Sequence, residues 1–374
     1  MKILQIHNRY NIFGGEDTAV EEEALLLRSN KHEVFQIIRN NKIELNNFFK
    51  KISVLMNLSY SNKSVNLLKK HISKYGKPDI VHVHNTFPLW TYSIFKYLDD
   101  INVPVVLSLH NFRIIFDKIS LFDKEFHKYG LFKNSKILTL IVSKLFNKNK
   151  QYLDKIDKFI THTEFTKKIF LTHGVKKNKL VIKPNFVQNS LNKIKSIKHK
   201  KNAIFASRLS KEKGILTLIN SWQQVKINLD ILGDGPLFNK LNKKQLNIKY
   251  HRSLSRFKVN KYINKSKFLI YPSEWYEPFG TTIVEAFNEG TLVLASNIGS
   301  IKSIIKDKYN GLLFNPGDQK DLICKVKWIL NNPDKCDQIA NNAKKEFNKK
   351  YSTNSNYNQL INIYKDAINN KKKS

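Results

Sequence analysis

The segment EWYEPFGTTIVEAFNEG, Glu274 to Gly290, carries two carboxylates, Glu277 and Glu285, with seven residues between them. Phe268 to Pro272 before it reads as a buried strand, so Ser273 to Gly280 leaves the carboxyl end of that strand as a loop. Ligands of open α/β sheets bind at that end. Thr281 to Gly290 reads as a helix whose first turn is Gly280, Thr281 and Thr282. Unpaired amides in a first turn, aided by the helix dipole, suit a phosphate or a sugar hydroxyl. Gly280 permits close approach to the backbone. Glu285 also stands three residues after Thr282, the spacing of a capping box, and a capping role is an alternative reading.

Two further loops share this placement. SRLSKEKG, Ser207 to Gly214, follows a strand and carries Arg208 and Lys213, two cations able to clamp a diphosphate. Each charge-assisted contact of that kind contributes on the order of 1.5 to 3 kcal/mol. Lys211 competes for the role, and Glu212 offers the alternative of a self-neutralised turn. GDGP, Gly233 to Pro236, follows the strand NLDIL and on its own is only a turn.

Histidines invite a metal reading. His82 and His84 share one strand face in VHVHN, yet the sequence places no acidic or cysteine partner beside them. Polar residues of a strand rim are the expectation. No Asp-x-Asp triplet occurs in the chain. His110, ending PVVLSLH, is either a core histidine or one that faces a ligand.

The elements that would hold these residues alternate regularly. Strands are expected at Ile3 to His7, His32 to Ile38, Asp79 to His84, Pro104 to His110, Lys158 to Thr163 and Leu180 to Lys183. The pattern restarts at Asn202 to Ser207, Asn228 to Leu232, Ile248 to His251, Phe268 to Pro272, Leu292 to Ser296 and Gly311 to Phe314. Helical segments lie between most of them, the signature of an open, mainly parallel α/β sheet, here repeated twice. The polar, Lys-rich stretch Val187 to Lys201 is the expected joint. Tyr357, Leu360, Ile361 and Tyr364 fall at helical spacing and predict a terminal helix packed by its apolar stripe.

The bulk properties fit such a protein. A chain of 374 residues, 41% hydrophobic, has the length for about two domains with sizeable cores. No run long enough to span a bilayer and no secretory leader is read from it. Cys324 and Cys336 lack CxxC spacing, which points to a reduced, cytoplasmic setting. The formal net charge of +35 favours polyanions: nucleic acid, an anionic membrane face or phosphate-bearing substrates. Nucleic acid is the weaker reading, because lysine clusters occur without a recognisable reader module.

EWYEPFGTTIVEA resembles the E-x7-E segment of retaining GT-B glycosyltransferases, in particular glycosyltransferase family 4. SRLSKEKG is similar to that family's G-R-L-x-x-E-K-G loop, and GDGP to its G-x-G-P turn, in the same order. In the first half, HNRYNIFGGEDTAVEEEALLL, VHVHNTFPL and LSLHNFR resemble the family's N-terminal and acceptor-domain segments. After HNFR the chain departs, with DKISLFDKEFHKYGLF where many relatives have a Cys-containing stretch.

The resemblance implies an α/β GT-B fold, two Rossmann-like domains facing a cleft, with the C-terminal helix returning to the N-terminal domain. Residues 1–187 would bind acceptor, 188–200 would link, 201–350 would bind the nucleotide sugar, and 351–374 would form the returning helix and a basic tail. It assigns Arg208 and Lys213 to the donor pyrophosphate, with Gly235 in the neighbouring turn, and Glu285 to the ribose hydroxyls. Glu277 would face the donor sugar beside the amides of Phe279, Gly280 and Thr281. Gly14 and Gly15 would approach the donor phosphates and His110 the reacting sugar. Arg113 in HNFR is read either as a ligand of an acidic group on the acceptor or as the partner of a local carboxylate.

The activity so implied is transfer of a hexose-type sugar, with retention, from a UDP- or GDP-sugar to a glycan or lipid-linked acceptor in cell-surface polysaccharide synthesis. No cofactor or metal is expected, since Arg208 and Lys213 supply the positive charge. The location implied is the cytoplasm, peripheral on the inner membrane face. A GT-B epimerase or phosphorylase, a donor-binding relative without catalysis, and a basic polyanion-binding protein are the alternatives.

Overall fold

A computed structural model describes residues 1–10, 14–112, 114–115, 144, 147–190, 192, 194–241 and 245–373, the side chains of residues 48, 51, 52, 55, 147 and 149 excepted. Arg113 and the segment 117–132 lie outside the described residues. The chain divides into two compact units. The first holds Met1–His162, Lys167–Lys183 and Tyr357–Ser374, and the second Thr163–Thr166 and Pro184–Asn356.

The first unit is built on six parallel strands: β1 (Lys2–Arg9), β2 (Glu33–Asn40), β3 (Ile80–Val83), β4 (Val105–Ser108), β5 (Lys158–Thr161) and β6 (Leu180–Ile182). Their order is β2-β1-β3-β4-β5-β6. The inner strands β3 and β4 are buried along their whole length, which is why IVHV and VVLS run apolar almost without alternation. Parallel strands need helical crossovers, and the helix Gly15–Ser29 supplies the first, burying Val20, Ala24 and Leu27.

The second unit repeats the plan with β7 (Ala203–Ala206), β8 (Leu229–Leu232), β9 (Ile248–His251), β10 (Phe268–Tyr271), β11 (Leu292–Ser296) and β12 (Leu312–Phe314). These parallel strands run in the order β12-β11-β10-β7-β8-β9. All twelve strands lie where the apolar runs place them. One core fills each face of this sheet: Phe205, Trp222, Phe268 and Phe314 on one side, Val293, Phe287, Phe347 and Tyr351 on the other.

The helix Thr353–Lys373 carries Leu360, Tyr364 and Ala367 into the core of the first unit, against Ile3, Ile80, Val106 and Ile160. A period of three to four residues brings these side chains onto one face.

The stretch read as a polar joint behaves otherwise. The division falls between Lys183 and Pro184, and Val187 and Ile197 are buried in the two cores of the second unit. Asp337 holds the stretch by accepting from the Ser196 hydroxyl at 2.5 Å and the Ile197 amide at 2.8 Å. Lys200 is buried as well, its Nζ 3.1 Å from Thr291 Oγ1, and burial pushes its ammonium down to about 8. Its apolar residues are too sparse to form a period, so the packing left no pattern in the sequence.

Candidate active site

In the second unit the three singled-out loops leave the carboxyl ends of neighbouring strands β7, β8 and β10. Backbone hydrogen bonds stitch them together. The Leu209 amide donates to Asp234 O at 2.9 Å, the Leu237 amide to Leu209 O at 3.0 Å, and the Glu274 amide to Glu212 O at 3.0 Å. Glycine is what permits the approach. Gly214 adopts φ +69°, and a Cβ there would lie 1.8 Å from the Pro272 carbonyl oxygen. Gly235 packs against the Leu209 backbone, and its amide donates to Asp234 Oδ1 at 2.8 Å.

Within this cluster the charges are paired. Lys213 Nζ donates to Glu277 Oε1 at 2.5 Å, and the Ser273 hydroxyl donates to the same oxygen at 3.0 Å. Arg208 reaches Glu212 Oε1 at 2.6 Å, while the Arg208 side chain stays 54% exposed and therefore within reach of a ligand. Burial acts to raise the Glu212 carboxyl, but the Ser210 hydroxyl, its own amide and Arg208 outweigh it and hold it below the usual range. Tyr271, at the end of β10, is fully buried beside Glu277, and burial followed by that negative charge pushes its phenol well above 10.

Glu285 is not a capping residue. The helix Thr281–Asn288 has Gly280 as its N-cap and no side-chain cap bond, and Glu285 instead accepts from Arg256 Nε at 2.8 Å. With Gly280 as N-cap, Glu285 stands beyond the N3 position that a capping box uses, and its carboxylate reaches the helix Arg256–Lys265. Arg256 was missed because RFKVNKYINK carries no motif. The Phe279 ring lies in the core 6.2 Å from Tyr351, so only its backbone faces the loop cluster.

The first unit holds a second constellation along its carboxyl rim. His7 lies within β1, two residues before its end, His84 directly after β3, His110 two residues after β4, and His162 and Lys183 directly after β5 and β6. His110 Nε2 is 3.1 Å from His84 Nδ1, and His110 Nδ1 is 3.1 Å from His162 Nε2. The His162 Nδ1 group meets the Lys183 carbonyl at 3.0 Å. Beneath them Glu23, from the helix Gly15–Ser29, lies 2.9 Å from His82 Nδ1, 3.3 Å from His84 Nε2 and 3.1 Å from Lys183 Nζ.

Glu23 corrects the expectation that no acid stands near His82 and His84. Glu23, His82 and His84 have the ligand types for a metal. The carboxylate and both His82 nitrogens are already engaged: Lys183 Nζ is on the carboxylate, Tyr364 OH lies 2.8 Å from His82 Nδ1 and Ser108 Oγ 2.9 Å from His82 Nε2. Burial works to raise Glu23, but His82 and Lys183 together hold it well below the carboxylate range. Burial depresses the imidazoles, His84 to about 3, His162 to about 4 and His110 well below 6.5. His162, Lys183, His7 and Glu23 were missed, although ITHT and VIKP place His162 and Lys183 just past an apolar strand, which was the available signal for those two.

Gly14 and Gly15 are exposed at the head of the helix Gly15–Ser29, with open space where a Cβ would stand. Asp17 closes that end, accepting from the Gly14 amide at 2.9 Å and pairing with His7 Nε2 at 2.9 Å. The residues before Gly14, 11–13, lie outside the described residues, as does Arg113.

Two parallel six-stranded α/β units with phosphate-type loops on one rim define the GT-B class. Residues 13–190 match the model described as Glycosyltransferase Family 4, and residues 186–346 match Glycosyl transferases group 1. The chain is therefore a glycosyltransferase of the family 4, group 1 type. It is 26% identical over 365 residues to an uncharacterised glycosyltransferase of Methanocaldococcus jannaschii, covering 94% of each chain. It is 27% identical to an uncharacterised 41.2 kDa protein in the cps region of Klebsiella pneumoniae, over 67% of this chain and 69% of that one. The fold is similar to Anabaena HepE solved in complex with UDP, with a TM-score of 0.69, 17% identity and coverage of 97% and 99%. Among the described residues, no helix is long and apolar enough to cross a membrane.

Proposed function

We propose that this protein transfers a hexose-type sugar, with retention of configuration, from a nucleoside-diphosphate sugar to a glycan or lipid-linked acceptor of a cell-surface polysaccharide. The observation that carries the donor half is the loop cluster, which gathers Arg208, Lys213, Glu277, the N-terminus of the helix Thr281–Asn288 and Glu285 on one sheet rim. Breaking the bond to the leaving diphosphate develops negative charge on it. Arg208, Lys213 and the first-turn amides of Gly280 and Thr281 answer that charge by fixed electrostatics, without a metal ion. Glu285 accepts from the ribose hydroxyls, and Glu277 faces the sugar, where positive charge develops.

Gly14 and Gly15 are the first-unit residues we assign to the donor phosphates, and His110 the one we assign to the reacting sugar. UDP and GDP are the donor bases we carry forward, UDP being supported by the HepE complex. The cps-region relative supports a polysaccharide setting. The net charge of +35 supports a peripheral place on the inner, anionic membrane face, where binding to anionic vesicles is expected to fall with added salt.

Thermal stability in the presence of UDP, GDP and their sugars tests the donor site. One base is expected to stabilise the wild type and to leave Arg208→Ala and Glu285→Ala unmoved. Stabilisation by none of them, with variants behaving as wild type, would sink the proposal.

A further inference from the structure

Three of the rim histidines, His84, His110 and His162, form a chain whose protons can be counted. It runs from the Lys183 carbonyl through His162, His110 and His84 to the Glu23 carboxylate, with separations of 3.0, 3.1, 3.1 and 3.3 Å. Both ends only accept hydrogen bonds, and each contact needs one proton. Three neutral imidazoles bring one proton each, so four contacts share three. One contact must go without.

The geometry says which. A carbonyl accepts, so His162 carries its proton on Nδ1 and leaves Nε2 bare. His110 must then donate from Nδ1, which leaves its own Nε2 to accept from His84 Nδ1. His84 Nε2 is the bare nitrogen at the end, and it makes no hydrogen bond among the described residues. Its separation from Glu23 is the longest of the four.

We infer that His162 and His84 are positioning residues that hold His110 as a neutral imidazole protonated on Nδ1, with the proton order set by the Lys183 backbone carbonyl. The groups around the chain agree with neutrality. Glu23 already has Lys183 Nζ at 3.1 Å and His82 Nδ1 at 2.9 Å. Tyr364 covers His82, and His7, paired to Asp17, meets the His84 ring edge-on at 6.4 Å. Arg9 Nε lies 3.7 Å from the same Asp17 oxygen that His7 meets. Burial drives all three imidazoles away from the charged form.

Both His110 nitrogens are engaged by other rings, so its orientation is set from two sides before any ligand arrives. A ring fixed in this way presents one face and one edge. The inference rests on the proposed function only for its kinetic consequence, since the proton order is a property of the unliganded protein.

Nitrogen-15 NMR of the histidine-labelled, unliganded protein at pH 7 tests it, with substitutions assigning the signals of the 11 histidines. His84, His110 and His162 are expected as neutral Nδ1–H forms. His162→Phe removes the anchor, and His110 and His84 are then expected to change together to Nε2–H, the second of them two rings away from the substitution. His162→Gln offers an amide oxygen to His110 and an N–H to the carbonyl, and is expected to keep both rings in the Nδ1–H form.

An Nε2–H signal for His110 in the wild type, or a charged ring among the three at pH 7, would overturn the proton order. Turnover supplies the second readout. His162→Phe is expected to lower kcat on the order of 100-fold, with His162→Gln restoring most of it. Unchanged kcat in His162→Phe would overturn the positioning role. Nucleotide binding by the same samples reports on the donor site separately, so failure of the proposed function and failure of the proton chain give different results.

Discussion

Lys213 Nζ lies 2.5 Å from Glu277 Oε1, so the cation read as a diphosphate ligand and the acid read as facing the sugar form one pair in the unliganded protein. Glu277 is only 9% exposed at its side chain, and the Ser273 hydroxyl and the Tyr271 phenol are neutral partners beside it. A diphosphate arriving at Lys213 therefore competes with Glu277 and frees part of that carboxylate. Lys213→Ala is expected to lose stability by about 1.5 to 3 kcal/mol, because it leaves a buried charge with neutral partners only. It should also lose nucleotide binding. Glu277→Gln, which keeps the side-chain shape, should retain nucleotide binding while turnover falls. Urea unfolding and calorimetric titration with UDP and GDP check the pair; equal nucleotide affinity in Lys213→Ala and wild type would refute the assignment.

The loop cluster depends on the backbone contact at Gly214. A Cβ would lie 1.8 Å from Pro272 O and 2.7 Å from Pro272 C, and backbone moves aside far less readily than a side chain. Gly317 is the natural control, with φ +75° and nothing within 4 Å of where a Cβ would stand. Gly317→Ala should cost about 1 kcal/mol, the left-handed conformation alone. Gly214→Ala should cost at least about 3 kcal/mol, adding displacement of the β10 loop. Chemical denaturation of both variants gives the comparison, and equal losses would mean that the loops are not interlocked there.

The sequence was most legible where side chains repeat with a period. Apolar runs of four or five residues located every strand, and the stripe Leu360, Ile361 and Tyr364 located the last helix. The three donor-type loops were legible for a different reason: glycine and charge sit at fixed offsets after a strand. Partners brought in from another element were not. Arg256 reaches Glu285 across 29 residues, and Glu23 meets Lys183 across 160, with no local pattern to announce either. The stretch around Ile197 misled because single buried residues in a polar run look like a linker.

Tyr364 joins the last helix to the histidine rim, its hydroxyl 2.8 Å from His82 Nδ1 across 282 residues. Burial, followed by the Glu23 charge, pushes its phenol well above 10, so it stays a neutral hydroxyl. Tyr364→Phe keeps the packed ring and should cost about 1 kcal/mol for the lost hydrogen bond, somewhat more with His82 left short of a partner. Leu360→Ala, at a site with 0% exposure, should cost about 2 to 5 kcal/mol through the cavity it opens. Guanidinium unfolding of the two variants orders them. A Leu360→Ala loss below about 1 kcal/mol would show that the helix does not seal the sheet.

The same rim makes stability depend on pH in a defined direction. His84 and His162, lowered to about 3 and about 4, stay neutral in the fold while an unfolded histidine gains its proton near 6.5. Between 6.5 and 4 the unfolded chain therefore binds more protons than the native one, and stability must fall as pH falls through that window. Each histidine that remains neutral contributes about 1.4 kcal/mol per pH unit there. His110, lowered by burial and by the neighbouring imidazoles, acts in the same direction. Glu23 adds its loss at lower pH, where the unfolded carboxylate is protonated and the native one, held by His82 and Lys183 against burial, is not. Urea midpoints should thus change little from about pH 8 to 7, Lys200 near 8 apart, and drop steeply from about 6.5 to 5. His162→Gln removes one of the titrating rings and should flatten that drop. A midpoint constant down to about pH 5 would mean that the rim histidines are protonated in the native protein, and that the chain from Lys183 to Glu23 is closed by a fourth proton.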